Sequence, residues 1–405
     1  MTISAGRLNV KKVIRAFIEN ALIWGHDPKM FSIYLAIDTN FQNTRVEDFR
    51  LDEDFEKIVN KVVYISEKDR ENLAEEIISK SNVSREIVET LFVGAGYSKQ
   101  RNSVLLWALR DRNDYAIYVD DDESPFVPIK DADDNLRWEN LDFFGPHIKE
   151  LSSGTDITRG PYLGYQSPVP SDFEKDVPED IRVKLGESLH WGSDVITKYS
   201  FFNLMNQIKY LPEEELKNPS RPFVVEEGHL GKQIYAGNMG INLRSVRMGK
   251  IPIFYTPPHA RGEDTIFALQ LGKIVVKEVA SYIFHDPFGI YSSIFDGEFP
   301  EILKNIPLTS NSKQRFAKAL MGWLMYAPIL ISMTSKNEVE KIERIGKMLE
   351  TIGEPANQLA DLFDIPELRD CKNILRKYYE DVDSHSKNLE EIQKEWKNKI
   401  LVSSI

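Results

Sequence analysis

Residues 115–126 read YAIYVDDDESPF. The alternating apolar run around Ile117, Tyr118 and Val119 has the residue types of a buried strand, and it ends on Asp120, Asp121 and Asp122. Carboxylates this close repel one another, and aspartate disfavours a strand, so the block calls for a positive partner. A divalent cation is the first candidate, because Mg2+ and Mn2+ take oxygen ligands. Taken alone, the triplet is equally a solvated acidic turn. Its neighbours along the chain shift that balance.

Working upstream, "TISA" after Met1 is β-prone, and Val10, Val13, Ile14, Phe17, Ile18 and Ala21 then keep helical spacing. Asn9 is a candidate N-cap for that helix and Gly25 a candidate stop. "FSIYLAIDTN" (31–40) is apolar without alternation, as a strand covered on both faces should be. "KVVYIS" (61–66) is a third strand. Charged helical patterns follow it, and "KQRNSVLLWALRDR" (99–112) is a further helix leading into Tyr115. Strands alternating with helices imply an α/β fold with a mainly parallel, doubly wound sheet. Ligands of such sheets sit at the carboxyl ends of the strands, where Asp38 and Asp120 to Asp122 fall.

The whole chain has 405 residues, enough for two domains or one large domain with an appendage. A formal charge of −12 argues against a nucleic-acid partner held by a general basic surface. The single cysteine, Cys371, excludes an internal disulfide framework and a thiolate zinc cluster, which suits a reducing cytoplasm. The run Ala319–Met333 is short for a membrane helix and carries Pro328, so a buried helix is expected there. The opening segment lacks the apolar stretch of a secretory signal, and a cytoplasmic location is expected.

From Glu123 to about Asp180 the chain is rich in Pro, Gly and Asp, and residues 152–175, with Arg159 and Tyr162, read as a lid. A helix is expected over 193–211. Beyond Gly297 the pattern is helical to the end. The organisation expected is therefore 1–125, 126–296 and 297–405, the last a helical extension that could pair two copies.

Residues 94–122, "GAGYSKQRNSVLLWALRDRNDYAIYVDDD", place a Gly-rich turn, Lys99, Arg101 and Asn102, a helix and the aspartate strand in succession. This order resembles nucleotide-sugar-dependent glycosyltransferases of the A-type fold. Two downstream stretches add to the resemblance: "GNMGINLRS" (237–245) with "HARGEDTIFALQL" (259–271), and "YIFHDPFGIY" (282–291). The likeness covers roughly residues 1 to 295.

The resemblance implies a Rossmann-like mixed, mainly parallel sheet and a metal-dependent transfer of sugar from a nucleoside diphosphate to an acceptor hydroxyl. It implies Asp120, Asp122 and His285 as ligands of Mn2+ or Mg2+, with His259 a weaker rival. Arg101 would meet the diphosphate, and Asp38, Asp120, Gly6 and Arg7 would line the donor site. Asp264 would be the base, with Glu263 beside it. Glu263 and Asp264 also fit a plain helix N-terminus. The first turn departs from the family, with Ser4, Ala5, Gly6 and Arg7 where a Thr/Ser-Asn-Arg turn is usual. "AGRL" is faintly similar to the turn of sugar-phosphate nucleotidyltransferases, the alternative activity; a non-catalytic scaffold is the other.

Overall fold

The computed structural model describes residues 1–165, 169–193, 207–228 and 231–404. Strand β1 (Thr2–Ala5) is followed by helix α1 (Val10–Ile23), strand β2 (Ser32–Ile37), helix α2 (Glu53–Ile58) and strand β3 (Lys61–Ile65). Helices α3 (Glu67–Ser81), α4 (Arg85–Phe92) and α5 (Tyr97–Arg110) then lead to strand β4 (Tyr115–Asp120). These four strands are parallel and lie in the order β4-β1-β2-β3. The sheet grows one way from β1 to β3, and β4 joins on the other side of β1. That reversal opens a crevice at the carboxyl ends of β1 and β4, the place where open α/β sheets bind ligands.

The unbroken apolar run of β2 follows from burial on both faces. Ile33, Leu35 and Ile37 pack with Ile3, Ile117, Val119 and Phe17 of α1 on one side. Tyr34 and Ala36 join Ala116, Tyr118 and Leu105 of α5 on the other. Local signals set the helix ends. Ser66 and Asp69 form a reciprocal cap at the start of α3, and Gly25, at φ 77°, ends α1. Asn9, expected as a cap, makes no side-chain capping bond and already has helical backbone angles.

Beyond β4, the strand Met239–Asn242 runs antiparallel to β4 and to the strand Ile157–Arg159. Val276–Glu278 lies parallel to the latter, and Phe223–Val224 closes the edge of an eight-stranded mixed sheet. A four-stranded sheet brings Glu123–Ser124 beside Ile283–His285 and Tyr162–Tyr165. The α/β class and the mixed, mainly parallel sheet are therefore as read from the sequence. The lid is not: within 152–175, Ile157–Arg159 and Tyr162–Tyr165 are paired strands, and Arg159 is tied to Glu278. Short β-branched and aromatic segments found ladder partners that their local composition did not advertise. Residues 166–168 of that stretch, and 194–206 of the helix expected over 193–211, lie outside the described residues; Ile208–Lys209 and Leu211–Pro212 are short strands.

The carboxy-terminal region is helical as expected, from Ser310–Thr334 through Val382–Glu395. It does not stand apart. Phe316, Leu320, Leu324, Leu375 and Trp396 belong to the same apolar cluster as Tyr118 and Ile241 of the sheet. The helix Ser310–Thr334 is long and apolar enough to cross a membrane, yet 72% of its apolar window is buried inside the protein. Gln393 donates to the Ile253 carbonyl and accepts from its N–H, at 2.8 and 2.9 Å, so the last helices continue the backbone pairing of the core.

A shared core predicts a single unfolding transition. Trp396→Ala, which removes a ring only 1% exposed, should lower stability by about 3–5 kcal/mol. In urea, the far-ultraviolet signal and tryptophan fluorescence should shift together. Two separated transitions in the parent protein would show that the helices fold as an independent unit.

Candidate active site

Each aspartate of the triplet has its own positive or N–H partner. The Asp120 carboxylate faces Arg101, whose Nη2 lies 3.0 Å from both oxygens. Asp121 accepts the backbone N–H groups of Gly6 and Arg7 at 2.7 and 2.8 Å, and the Arg7 guanidinium pairs with it as well. Asp122 lies 3.0 Å from Arg7 Nη1 and 3.7 Å from His285 Nε2. The crevice between β1 and β4 is thus closed at its base by Arg7, which spans the end of one strand and the turn after the other.

The elements deliver these groups for local reasons. Helix α5 carries Arg101 3% exposed beneath β4, and Asn102 fixes the helix by bonding the Leu91 and Phe254 carbonyls. Arg101 also donates to the Ala236 carbonyl at 2.9 Å and approaches Glu263 at 3.5 Å. The turn after β4 is pinned by the pairing of Glu123 with His285 and by Asp286 donating its N–H to the Asp122 carbonyl. His285 must donate from Nδ1 to the Tyr165 carbonyl, since a carbonyl only accepts, and this aims Nε2 at Asp122.

Glu123 is buried. One of its oxygens accepts the Asp120 N–H at 2.8 Å, and the Tyr162 hydroxyl reaches its side chain. Gly237 lies directly over this group: a Cβ there would stand 2.0 Å from Glu123 Oε1 and 2.2 Å from the Tyr162 hydroxyl. Glycine is required by that close approach. Asn238 next to it is held by His147 at 2.9 Å and by the Ser281 carbonyl at 2.9 Å.

Burial and the nearby Asp120 raise Glu123 well above the usual carboxyl range. Burial likewise lifts Asp121 to about 6, with Arg7 pulling the other way. Burial also opposes the Asp122 carboxylate, yet Arg7, His285 and Arg315 hold it below its ordinary value. The pocket therefore contains carboxyl groups shifted in opposite directions a few residues apart, a feature common at functional sites.

The expected metal set does not come together. Asp122 and His285 meet, but Asp120 turns to Arg101, and among the described residues no three His, Cys, Asp or Glu side chains are grouped to hold a metal. Freeing Asp120 would take from the buried Arg101 its 3.0 Å carboxylate partner and leave it Glu263 at 3.5 Å. Arg101 is held by Asp120, by the Ala236 carbonyl and by Glu263 at 3.5 Å, and its buried Nε has no hydrogen-bond partner. Asp38 ends β2 at the same sheet edge but caps Asn40 and interacts with buried Arg70, apart from the triplet. His259 stands exposed in a turn with left-handed backbone, φ 61°.

Glu263 and Asp264 open the helix Glu263–Leu269 and divide the work. Glu263 is the partner of Arg101, whereas Asp264 lines a cleft of about 680 Å3 with Arg159, Tyr235 and Thr265. An adjoining cleft of about 540 Å3 is walled by Tyr162, Tyr210, Tyr282 and Tyr235, the first and last stacked at 5.0 Å. Missed by the sequence reading were Glu123, Gly237, Arg261 and Arg315. Glu123 directly follows the triplet and could have been found by its position. Arg315, some two hundred residues away, offered no signal.

No family model matches the chain, and no curated protein matches it. Among solved structures it is similar to Staphylococcus aureus TarS, at 12% identity and a TM-score of 0.35 over 95% of this chain and 54% of that one. The structure of TarS residues 1–349 gives 13% identity and the same TM-score, over 95% of this chain and 90% of that one. This chain thus spans about half the length of the longer TarS chain.

The upward shift of Glu123 sets a pH signature. Its folded-state pKa lies above the unfolded value, so its contribution to stability is complete at acid pH. That contribution fades as pH rises past the ordinary carboxyl range, by at most about 1.4 kcal/mol per pH unit. Glu123→Gln keeps the neutral shape and removes the titration. Thermal melts should therefore show the variant gaining on the parent as pH rises from 5 to 8; a constant difference across that range would mean that Glu123 is ionised in the native state.

Proposed function

We propose that the chain is a glycosyltransferase, which moves a sugar, in our reading a hexose, from a nucleoside diphosphate to a hydroxyl of a carbohydrate or small molecule. One observation carries the reading: the crevice at the reversal between β1 and β4 holds a charged cradle built for an anion, and the cleft lined by Asp264 opens beside it. Gly6, Arg7 and Phe41 border the donor side of that crevice. The ring of Phe41, half exposed, lies 5.3 Å from the Arg7 guanidinium and offers a stacking face for a base.

In the transfer, the bond between the anomeric carbon and the diphosphate oxygen breaks, and its electron pair leaves with the phosphate. The acceptor oxygen forms the new bond to carbon while Asp264 takes its proton. Glu263, held by Arg101, fixes the helix that presents Asp264. The tyrosine-walled cleft suits a carbohydrate acceptor, because aromatic faces cover the apolar faces of sugar rings. One feature weighs against nucleotidyl transfer. The N–H groups of Gly6 and Arg7, which a triphosphate would need, already serve Asp121. Pairing of two copies through the carboxy-terminal helices would use Val339 and Ile342, which are exposed on the helix Glu338–Thr351.

Incubation with UDP-, GDP- and ADP-sugars, followed by release of nucleoside diphosphate, identifies the donor. With that donor, Asp264→Asn should lower kcat by about 10^2–10^4 while nucleoside diphosphate binding stays at the parent level. Release of pyrophosphate from a triphosphate and a sugar phosphate would instead identify a nucleotidyltransferase. Parent-level turnover in the variant would remove Asp264 from the chemistry.

A further inference from the structure

Arginines from three distant parts of the chain converge over Asp122. Arg7 follows β1. Arg261 precedes the helix Glu263–Leu269. Arg315 lies in the second turn of the helix Ser310–Thr334 and interacts electrostatically with Asp122, Arg7 and Arg261. Tyr97, at the start of α5, faces the same group of charges. Gly322, two turns along from Arg315, makes room for the Arg261 stem: a Cβ at that position would stand 2.6 Å from Arg261 Cγ. Arg315 lies over the Phe288 ring at 5.2 Å, and its Nε is buried with no hydrogen-bond partner.

Asp120 is matched by Arg101, and Arg7 already pairs with both Asp121 and Asp122, so Arg315 meets Asp122 across a site that also places Arg7 and Arg261 against it. Among the described residues neither Arg261 nor Arg315 forms an ion pair within hydrogen-bonding range. Like charges crowded in a partly buried site repel, so the protein holds a standing preference for an anion there. A divalent cation entering the same space would meet three positive groups and would have to separate Arg7 from Asp122.

Building on the glycosyltransferase reading, we propose that Arg7, Arg261 and Arg315 bind the donor diphosphate directly and replace a divalent metal ion. Guanidinium forks match phosphate oxygens in pairs, and they neutralise the charge that develops on the leaving diphosphate as the sugar bond breaks. Asp121 and Asp122 then act as positioning residues that hold Arg7 in place rather than as metal ligands. No proton or electron is exchanged with these arginines, whose role is to bind and to stabilise charge.

The test is calorimetric titration with inorganic pyrophosphate, UDP, GDP and ADP, each in excess EDTA and again with Mn2+ or Mg2+. Pyrophosphate and at least one nucleotide should bind in EDTA, with affinity that added metal does not raise. Arg261→Gln and Arg315→Gln should each weaken pyrophosphate binding by about tenfold or more, the usual effect of losing a charged hydrogen bond, with parent-like circular dichroism and melting temperature. Binding that appears only with metal would overturn this proposal and leave the glycosyltransferase reading standing, as would parent-level affinity in both arginine variants. If no nucleoside diphosphate and no pyrophosphate binds under either condition, both fall.

Discussion

Three carboxylates in succession at the end of a buried strand cannot be left uncompensated, and the fold answers each from a different part of the chain. Asp120 is met from α5, Asp121 from the backbone that leaves β1, and Asp122 by Arg7, His285 and Arg315. Because each partner is partly or wholly buried, the interactions are stronger than surface pairs and their geometry is fixed. The triplet that could be read as an isolated acidic turn is therefore the point on which β1, α5, the His285 strand and the first carboxy-terminal helix converge.

That convergence depends on packing well outside the crevice. Arg101 stays beneath β4 because Asn102 exchanges hydrogen bonds with Phe254, which accepts from its side chain and donates its own N–H at 3.0 Å. The neighbouring Ile253 is paired with Gln393 of the late helix Val382–Glu395. Disturbing the helical end of the chain would thus reach the acidic turn through the hydrogen bonds of Gln393 with Ile253, Phe254 with Asn102 and Arg101 with Asp120. This explains why the carboxy-terminal helices share one core with the sheet rather than trailing behind it.

Local periodicity made the first 120 residues legible. Continuous apolar runs reported strands covered on both faces, and the spacing of Val10, Val13 and Phe17 reported the inward side of α1. The acidic triplet was found as polar groups placed where an α/β sheet binds ligands, whereas Asp264 came from the family resemblance of its Gly-Glu-Asp stretch. What stayed hidden depends on contacts between distant residues. The strand Ile157–Arg159 has three residues and no pattern of its own, and it exists because Met239–Asn242 and Val276–Glu278 flank it. Similarly, the positive charge demanded by the triplet was anticipated, but its carrier was not. Arginine at position 315 looks like any polar residue on a helix until the helix is folded against the crevice.

The Arg101 guanidinium relates the two halves of the site. It holds Asp120 of the acidic turn and approaches Glu263 of the helix Glu263–Leu269, so the carboxylate at 264 is set relative to the crevice by one planar group. Its Nη1 donates to the Ala236 carbonyl, one residue before the glycine that covers Glu123. A lysine could offer the charge but not several donors in fixed directions, and it could not bridge both acids at these distances. Arg101 therefore positions the helix that carries Asp264 relative to the acidic turn after β4.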